Sequence, residues 1–154
     1  MKIIPANKKY IKEISKLMLK ELENPNDKFP VDLISKFREH AKEDSISMEL
    51  DNPNLISFLA INNHELIGFI VGYKEESNNT MIHHIAGDKI ETKKLLLNRF
   101  IDECKKININ NINADTFEFM ENNELFKEEG FILTKKEKIT DDLEMLWYEF
   151  NLKI

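Results

Sequence analysis

The stretch from Thr80 to Lys106 constrains the fold most. Met81, Ile82, His83, His84 and Ile85 form a short strand, Ala86, Gly87 and Asp88 a tight passage, and an amphipathic helix follows. Ile90, Leu97, Ile101 and Cys104 make one stripe of that helix, thickened by Leu96, Phe100 and Ile107. Lys93, Lys94, Arg99, Asp102 and Lys105 are expected on its wet face. A strand that feeds a helix through a turn aims the free N–H groups of the first helical turn at one point. Unpaired donors and the helix dipole act together there, so the point is a ready anion site. The rest of the chain is then expected to build sheet on both sides of this unit.

With 154 residues the chain is expected to form one domain over 1–154. No run approaches the roughly 18 apolar residues of a membrane span, and the N-terminus lacks the apolar segment of a signal peptide. The expectation is a cytoplasmic protein that does not engage a membrane. A net charge of -6 argues against nucleic acid as partner. Cys104 is the single cysteine, without ligand companions at useful spacing, so it reads as a small buried hydrophobe and no metal is expected. Arginine occurs only at 38 and 99, while Asn and Ile are abundant. That bias, including the run from Asn108 to Asn113, reads as genomic base composition.

Taken in order, Lys2, Ile3 and Ile4 make a strand that Pro5 and Asn7 stop. Asn7 is placed to cap a helix with apolar face Tyr10, Ile11, Ile14, Leu17, Met18 and Leu22. Asn24-Pro25-Asn26-Asp27 breaks it, and a second helix starts near Pro30 with Leu33, Ile34, Phe37 and Ala41 on its buried side. Its end is blurred through Ser45, Met48 and Leu50. Strands Leu55–Ile61 and Glu65–Tyr73, joined by Asn62-Asn63-His64, read as a hairpin. Gly68 and Gly72 inside the second strand mark a bulge or a close backbone approach. After the long helix come a strand through Ile112, Ala114 and Thr116 and a short helix near Asn122–Glu129. Gly130 closes that helix, so that Phe131 folds back on Leu125 or Phe126. Two last strands, near Ile132–Ile139 and Leu143–Ile154, meet through Thr140-Asp141-Asp142.

Three features carry a resemblance: this element order, the hairpin strand Leu66-Ile67-Gly68-Phe69-Ile70, and the run Asn123-Glu124-Leu125-Phe126-Lys127-Glu128-Glu129-Gly130-Phe131. Over essentially the whole chain they resemble the GCN5-related N-acetyltransferase (GNAT) family. The resemblance implies an α/β (α+β) fold, with a mixed, mostly antiparallel sheet of about seven strands and four helices on both faces. It also implies acetyl-CoA as co-substrate, held where the fourth and fifth strands splay apart, with its pyrophosphate on N–H groups at the start of the long helix. The implied cofactor contacts are Ile85, Ala86, Gly87, Lys89, Ile90, Thr92, Lys93, Lys94 and Phe126. The sequence departs from the family twice. The turn that usually carries Arg or Gln and a glycine pair aligns with Gly87–Thr92 or, in a second frame, Ile90–Leu95, and neither segment has them. Where the family often has a tyrosine that returns a proton to the CoA thiolate, this chain has Phe126.

Acetyl transfer to an amine requires loss of an amine proton, stabilisation of an oxyanion and departure of a thiolate. His83 and His84 on the fourth strand are candidate bases. Strand alternation lets only one of them face a cleft, and both also read as ordinary sheet histidines. Asp115 and Glu118, on or beside the fifth strand, are further candidates, or else a solvated sheet end. Tyr73 and Tyr148 are substitute acids by position. Lys89, Lys93 and Lys94 crowd the positive end of the long helix, which an anion would relieve. The expected function is acetyl transfer to a small-molecule or protein amine. The competing reading is a non-catalytic domain of the same fold that binds CoA weakly or a protein partner. A homodimer through the apolar last strand is an expectation as well.

Overall fold

A computed structural model describes residues 1–23 and 29–152. The break expected at Asn24-Pro25-Asn26-Asp27, and Ile154 of the last strand, lie outside the described residues. Strand β1 (Lys2–Pro5) leads through a 3-10 turn, capped by the Asn7 side chain on the Lys9 N–H, into helix α1 (Ile11–Glu21). The single helix expected after Pro30 is in fact two, α2 (Val31–His40) and α3 (Glu43–Leu50), so five α-helices are described rather than four. Pro30 precedes the first of them as an extended N-cap. The cause of the break lies partly elsewhere in the chain: the Ser15 hydroxyl donates to the Ala41 carbonyl and the Ser45 hydroxyl to that of Glu39. These bonds satisfy carbonyls that a continuing helix would have used.

Strands β2 (Leu55–Asn62) and β3 (Glu65–Lys74) form the expected hairpin, with Asn63 and His64 at positive φ as a two-residue primed turn requires. Then come β4 (Asn79–Gly87), α4 (Ile90–Lys106), β5 (Asn111–Phe117), α5 (Asn122–Glu128), β6 (Ile132–Thr140) and β7 (Leu143–Asn151). The sheet order is β1-β2-β3-β4-β5-β7-β6. Every pairing is antiparallel except β4 with β5, between which α4 crosses over. Strand β7 therefore has neighbours on both edges, and the homodimer expected through this strand loses its free edge.

One core cluster lies under α4 and α5, with Ile70, Leu96, Leu97, Phe100, Ile112 and Tyr148. The other lies under α1 and α3, with Ile14, Ile46, Leu59 and Phe69. Gly72 lets α4 seat closely, since a Cβ there would stand 2.6 Å from the Phe100 ring. Both main helices of the first face end in the same way. After α4, Asn108 takes φ 61° and the Ile109 N–H reaches the Cys104 carbonyl at 2.9 Å. After α5, Gly130 takes φ 95° and the Phe131 N–H reaches the Phe126 carbonyl at 2.9 Å, with the two rings 5.2 Å apart. Asn108, in the run attributed to base composition, thus does specific backbone work. Cys104 is fully buried as expected, and burial pushes its thiol up to about 12.

Candidate active site

The β4–β5 ladder has only four rungs, from Asn79 with Asn111 to Ile82 with Ala114. Beyond Ile82, the β4 backbone groups directed at β5 have no ladder partner there. The register between β3 and β4 shifts at the same level: Val71 opposes His84, but Gly72 opposes Ile82. His83 is the extra residue of a bulge, which bends β4 away from its neighbour. A cavity of about 530 Å³ occupies the opening and runs between α1 and α2 on one face and α4 and α5 on the other.

The bulge changes where the histidines point. Alternation would send His83 and His84 to opposite faces. Instead His84 stacks on Phe69 with centroids 5.1 Å apart, and His83 meets the Tyr73 ring at 4.8 Å. Phe69 and Tyr73 are an even number of residues apart on β3 and share a face, so both imidazoles lie on the α1 side and both line the cavity. The expectation that only one could face it is corrected. Glu21, at the end of α1, sets its Oε2 2.7 Å from His84 Nε2. Asp115 lines the same side from β5. Burial holds its carboxyl above the usual carboxylate range, and nearby His83 partly opposes that shift. Glu118 lies past the end of β5, solvent-exposed and away from the cavity lining.

On the opposite face the cavity meets Thr116, Lys93, Asn122 and Phe126. Thr116 is 4% exposed, and its hydroxyl has no hydrogen-bond partner among the described residues. A buried hydroxyl lining an opening is a vacant donor and acceptor. Lys93, expected on the wet face, has a side chain only 8% exposed. Its ammonium donates to Glu121 Oε1 at 2.8 Å and to Asn122 Oδ1 at 3.0 Å, tying the first turn of α4 to α5. Lys94 pairs with Glu128 at 2.7 Å. Two of the three lysines expected to greet an anion are thus engaged by carboxylates. Lys89 is the extended N-cap of α4 without a side-chain cap, and just before it Asp88 accepts from the Thr92 hydroxyl. Ile85 lines the cavity, whereas Ala86 is buried in the α1-side core, Gly87 ends β4 and Ile90 packs against the α4-side core.

Neither substitute acid reaches the cavity lining. Burial and neighbouring Glu49 push the Tyr73 hydroxyl up to about 12. The buried Tyr148 hydroxyl donates to Asn123 Oδ1 at 3.0 Å, and burial, with Glu124, raises it too. Asn123 also donates to the carbonyls of Phe117, Glu118 and Met120, which fixes the loop between β5 and α5. Sequence reasoning missed Glu21, Thr116 and Asn123 as site or supporting residues. Only Asn123 left a signal, as an amide just inside a short helix, where caps and loop clamps concentrate. Among the described residues no group of three or more His, Cys, Asp or Glu is placed to hold a metal. No helix among them is long and apolar enough to cross a membrane.

No protein-family model and no curated protein matches the sequence. Solved structures do match. A probable acetyltransferase from Staphylococcus epidermidis ATCC 12228 superposes with TM-score 0.80 at 15% identity, over 99% of both chains. An acetyltransferase of the GNAT family from Staphylococcus aureus Mu50 gives 0.75 at 25% identity, again over 99% of both. An aminoglycoside 6'-N-acetyltransferase complexed with coenzyme A gives 0.77 at 15% identity, over 98% of this chain and 97% of that one. The chain has the GNAT fold.

Proposed function

We propose that this chain is a single-domain N-acetyltransferase that moves acetyl from acetyl-CoA to an amine in the opening between β4 and β5. The observation that carries the reading is the early end of the β4–β5 ladder at Ile82 and Ala114, with a cavity at that level open to both faces of the sheet. The coenzyme A in the similar aminoglycoside enzyme supports the choice of donor. Thr116, with its vacant hydroxyl, suits the polar arm of such a donor on the α4 side.

In this reading the amine enters from the α1 side, where Asp115 meets its ammonium form. Glu21 is a carboxylate and can only accept, so His84 Nε2 donates to it and Nδ1 is left to take the amine proton. The amine nitrogen then attacks the thioester carbonyl carbon. A C–N bond forms, the C–S bond breaks, the sulfur leaves as thiolate, and the second proton that the nitrogen must shed passes through water to that thiolate. The β4 N–H groups beyond Ile82 that face β5, without a ladder partner there, are the donors available to the oxyanion. The test is direct: acetyl-CoA should raise the melting temperature by mass action, and amines should release free thiol from it. Unchanged melting at millimolar acetyl-CoA would reject the reading.

A non-catalytic domain is the second reading, favoured by the start of α4. There Asp88 brings a carboxylate to the positive end of the helix, and Lys93 and Lys94 are already neutralised. Binding of acetyl-CoA without thiol release to any amine would select it.

A further inference from the structure

We propose that the acceptor is a monoamine carried on an apolar group of aromatic size, and that this chain disfavours polycationic acceptors. This substrate class rests on the acetyl-transfer reading above. It follows from the α1-side wall of the cavity, which is built from Leu22 just past α1, Phe29, Leu33, Ile34 and Phe37 of α2 and its approach, and Phe117 of β5. Phe29 meets the Phe117 ring edge-on at 4.9 Å and the Phe119 ring at 5.4 Å, and Phe37 lies edge-on to His84 at 6.3 Å. Rings already arranged in this way accept a further ring or alkyl chain by the same contacts, with the gain of removing apolar surface from water.

The polar inventory of the wall points the same way. Among the described residues only two carboxylates line the cavity, Glu21 and Asp115. Glu21 already gives one oxygen to His84 at 2.7 Å. Among the described residues Asp115 is the lining carboxylate not held by a ring nitrogen, which suits a ligand with a single amine. A guest with several ammonium and hydroxyl groups would bury most of them against leucine, isoleucine and phenylalanine without partners, and that is costly. The similar enzyme named for aminoglycosides acts on such a guest, so the shared fold does not settle the acceptor. The size of the cavity lies within the range of small-molecule sites, and the acyl donor must share it, so the acceptor is small.

The test uses the intact protein in two arms. In the first, kcat/KM is measured for straight-chain amines of increasing length, an aryl-ethyl amine, a linear polyamine and an aminoglycoside. Each added methylene should raise kcat/KM about fourfold until the wall is filled. The aryl amine should exceed both polycations, and Leu33→Asp should narrow or reverse that order. Preference for a polycation, or no dependence on chain length, overturns the inference while leaving acetyl transfer standing. In the second arm, binding of the same amines is followed by calorimetry with CoA in place of acetyl-CoA, so that nothing reacts. If no amine is acetylated yet the aryl amine binds and Leu33→Asp weakens it, the apolar amine site stands and the catalytic reading falls. If the wild type binds no apolar amine, the inference is overturned whatever the first arm reports.

Discussion

Glu21 Oε2 and His84 Nε2 meet at 2.7 Å across 63 positions of sequence, joining the end of α1 to the bulged part of β4. The contact fixes which imidazole nitrogen carries the proton and holds the ring against Phe69.

His84→Gln should therefore lower kcat by about 100-fold, the usual scale for a lost general base. Glu21→Gln keeps a partner for the ring but loses the charge, and it should cost less than His84→Gln. Steady-state kinetics over a range of pH checks both. Full activity in His84→Gln would remove His84 from the mechanism and turn attention to His83 and Asp115.

Asp115 gives a stability prediction with a definite sign. Its carboxyl is held above the ordinary carboxylate range by burial. Such a group favours the fold while protonated and loses that contribution as pH rises through its folded-state value. Ionising it in this buried setting costs stability. Asp115→Asn should thus melt higher than wild type at pH 7, and the gap should close as pH falls below the ordinary carboxylate range. The same variant should acetylate amines more slowly, a trade typical of functional groups. Melting curves at several pH values decide it, and equal melting at pH 7 would show that the carboxylate is solvated.

Lys93 and Lys94 should separate cleanly. Lys93→Ala strands the buried Asn122 Oδ1 and cuts the tie between α4 and α5, which should cost about 1–3 kcal/mol. Lys94→Ala removes a pair with both partners exposed and should cost less than Lys93→Ala. Denaturant titration compares them. Similar losses would mean that the Lys93 pair is as wet as the Lys94 pair.

Phe126 is 1% exposed, contacts the rings of Phe131 and Tyr148, and lines the cavity. If the departing thiolate has only water to protonate it, Phe126→Tyr supplies an acid and should raise kcat about tenfold or more, with little change in acetyl-CoA affinity. The melting temperature must be measured alongside, since a buried hydroxyl without a partner destabilises. A fast wild type that the tyrosine does not improve would make Phe126 a packing residue.

Much of the fold was legible because its signals are local. The Asn63-His64 turn, the α4 stripe and the Gly130-Phe131 cap each sit within a few residues of the element they define. What escaped depends on partners distant in sequence. A bulge exists only relative to the opposing strand, so the shared face of His83 and His84 could not be read from alternation. Lys93 lies on the polar side of α4 by periodicity, and it is buried because residues that open α5 close over it. The break between α2 and α3 involves Ser15, 26 positions away from Ala41. Glu21 had no mark at all, since glutamate at a helix end is commonplace.

The position of β7 has a consequence for how the sheet is assembled. It is made after β6 yet lies between β6 and β5, so β6 has no place to dock until β7 has been synthesised. Until Leu143–Asn151 is in place, β5 carries a bare edge and β6 has no strand to pair with. Shortening the chain from that end would not peel off one strand. It would release two, and with them the Tyr148–Asn123 bond that steadies the floor of the cavity.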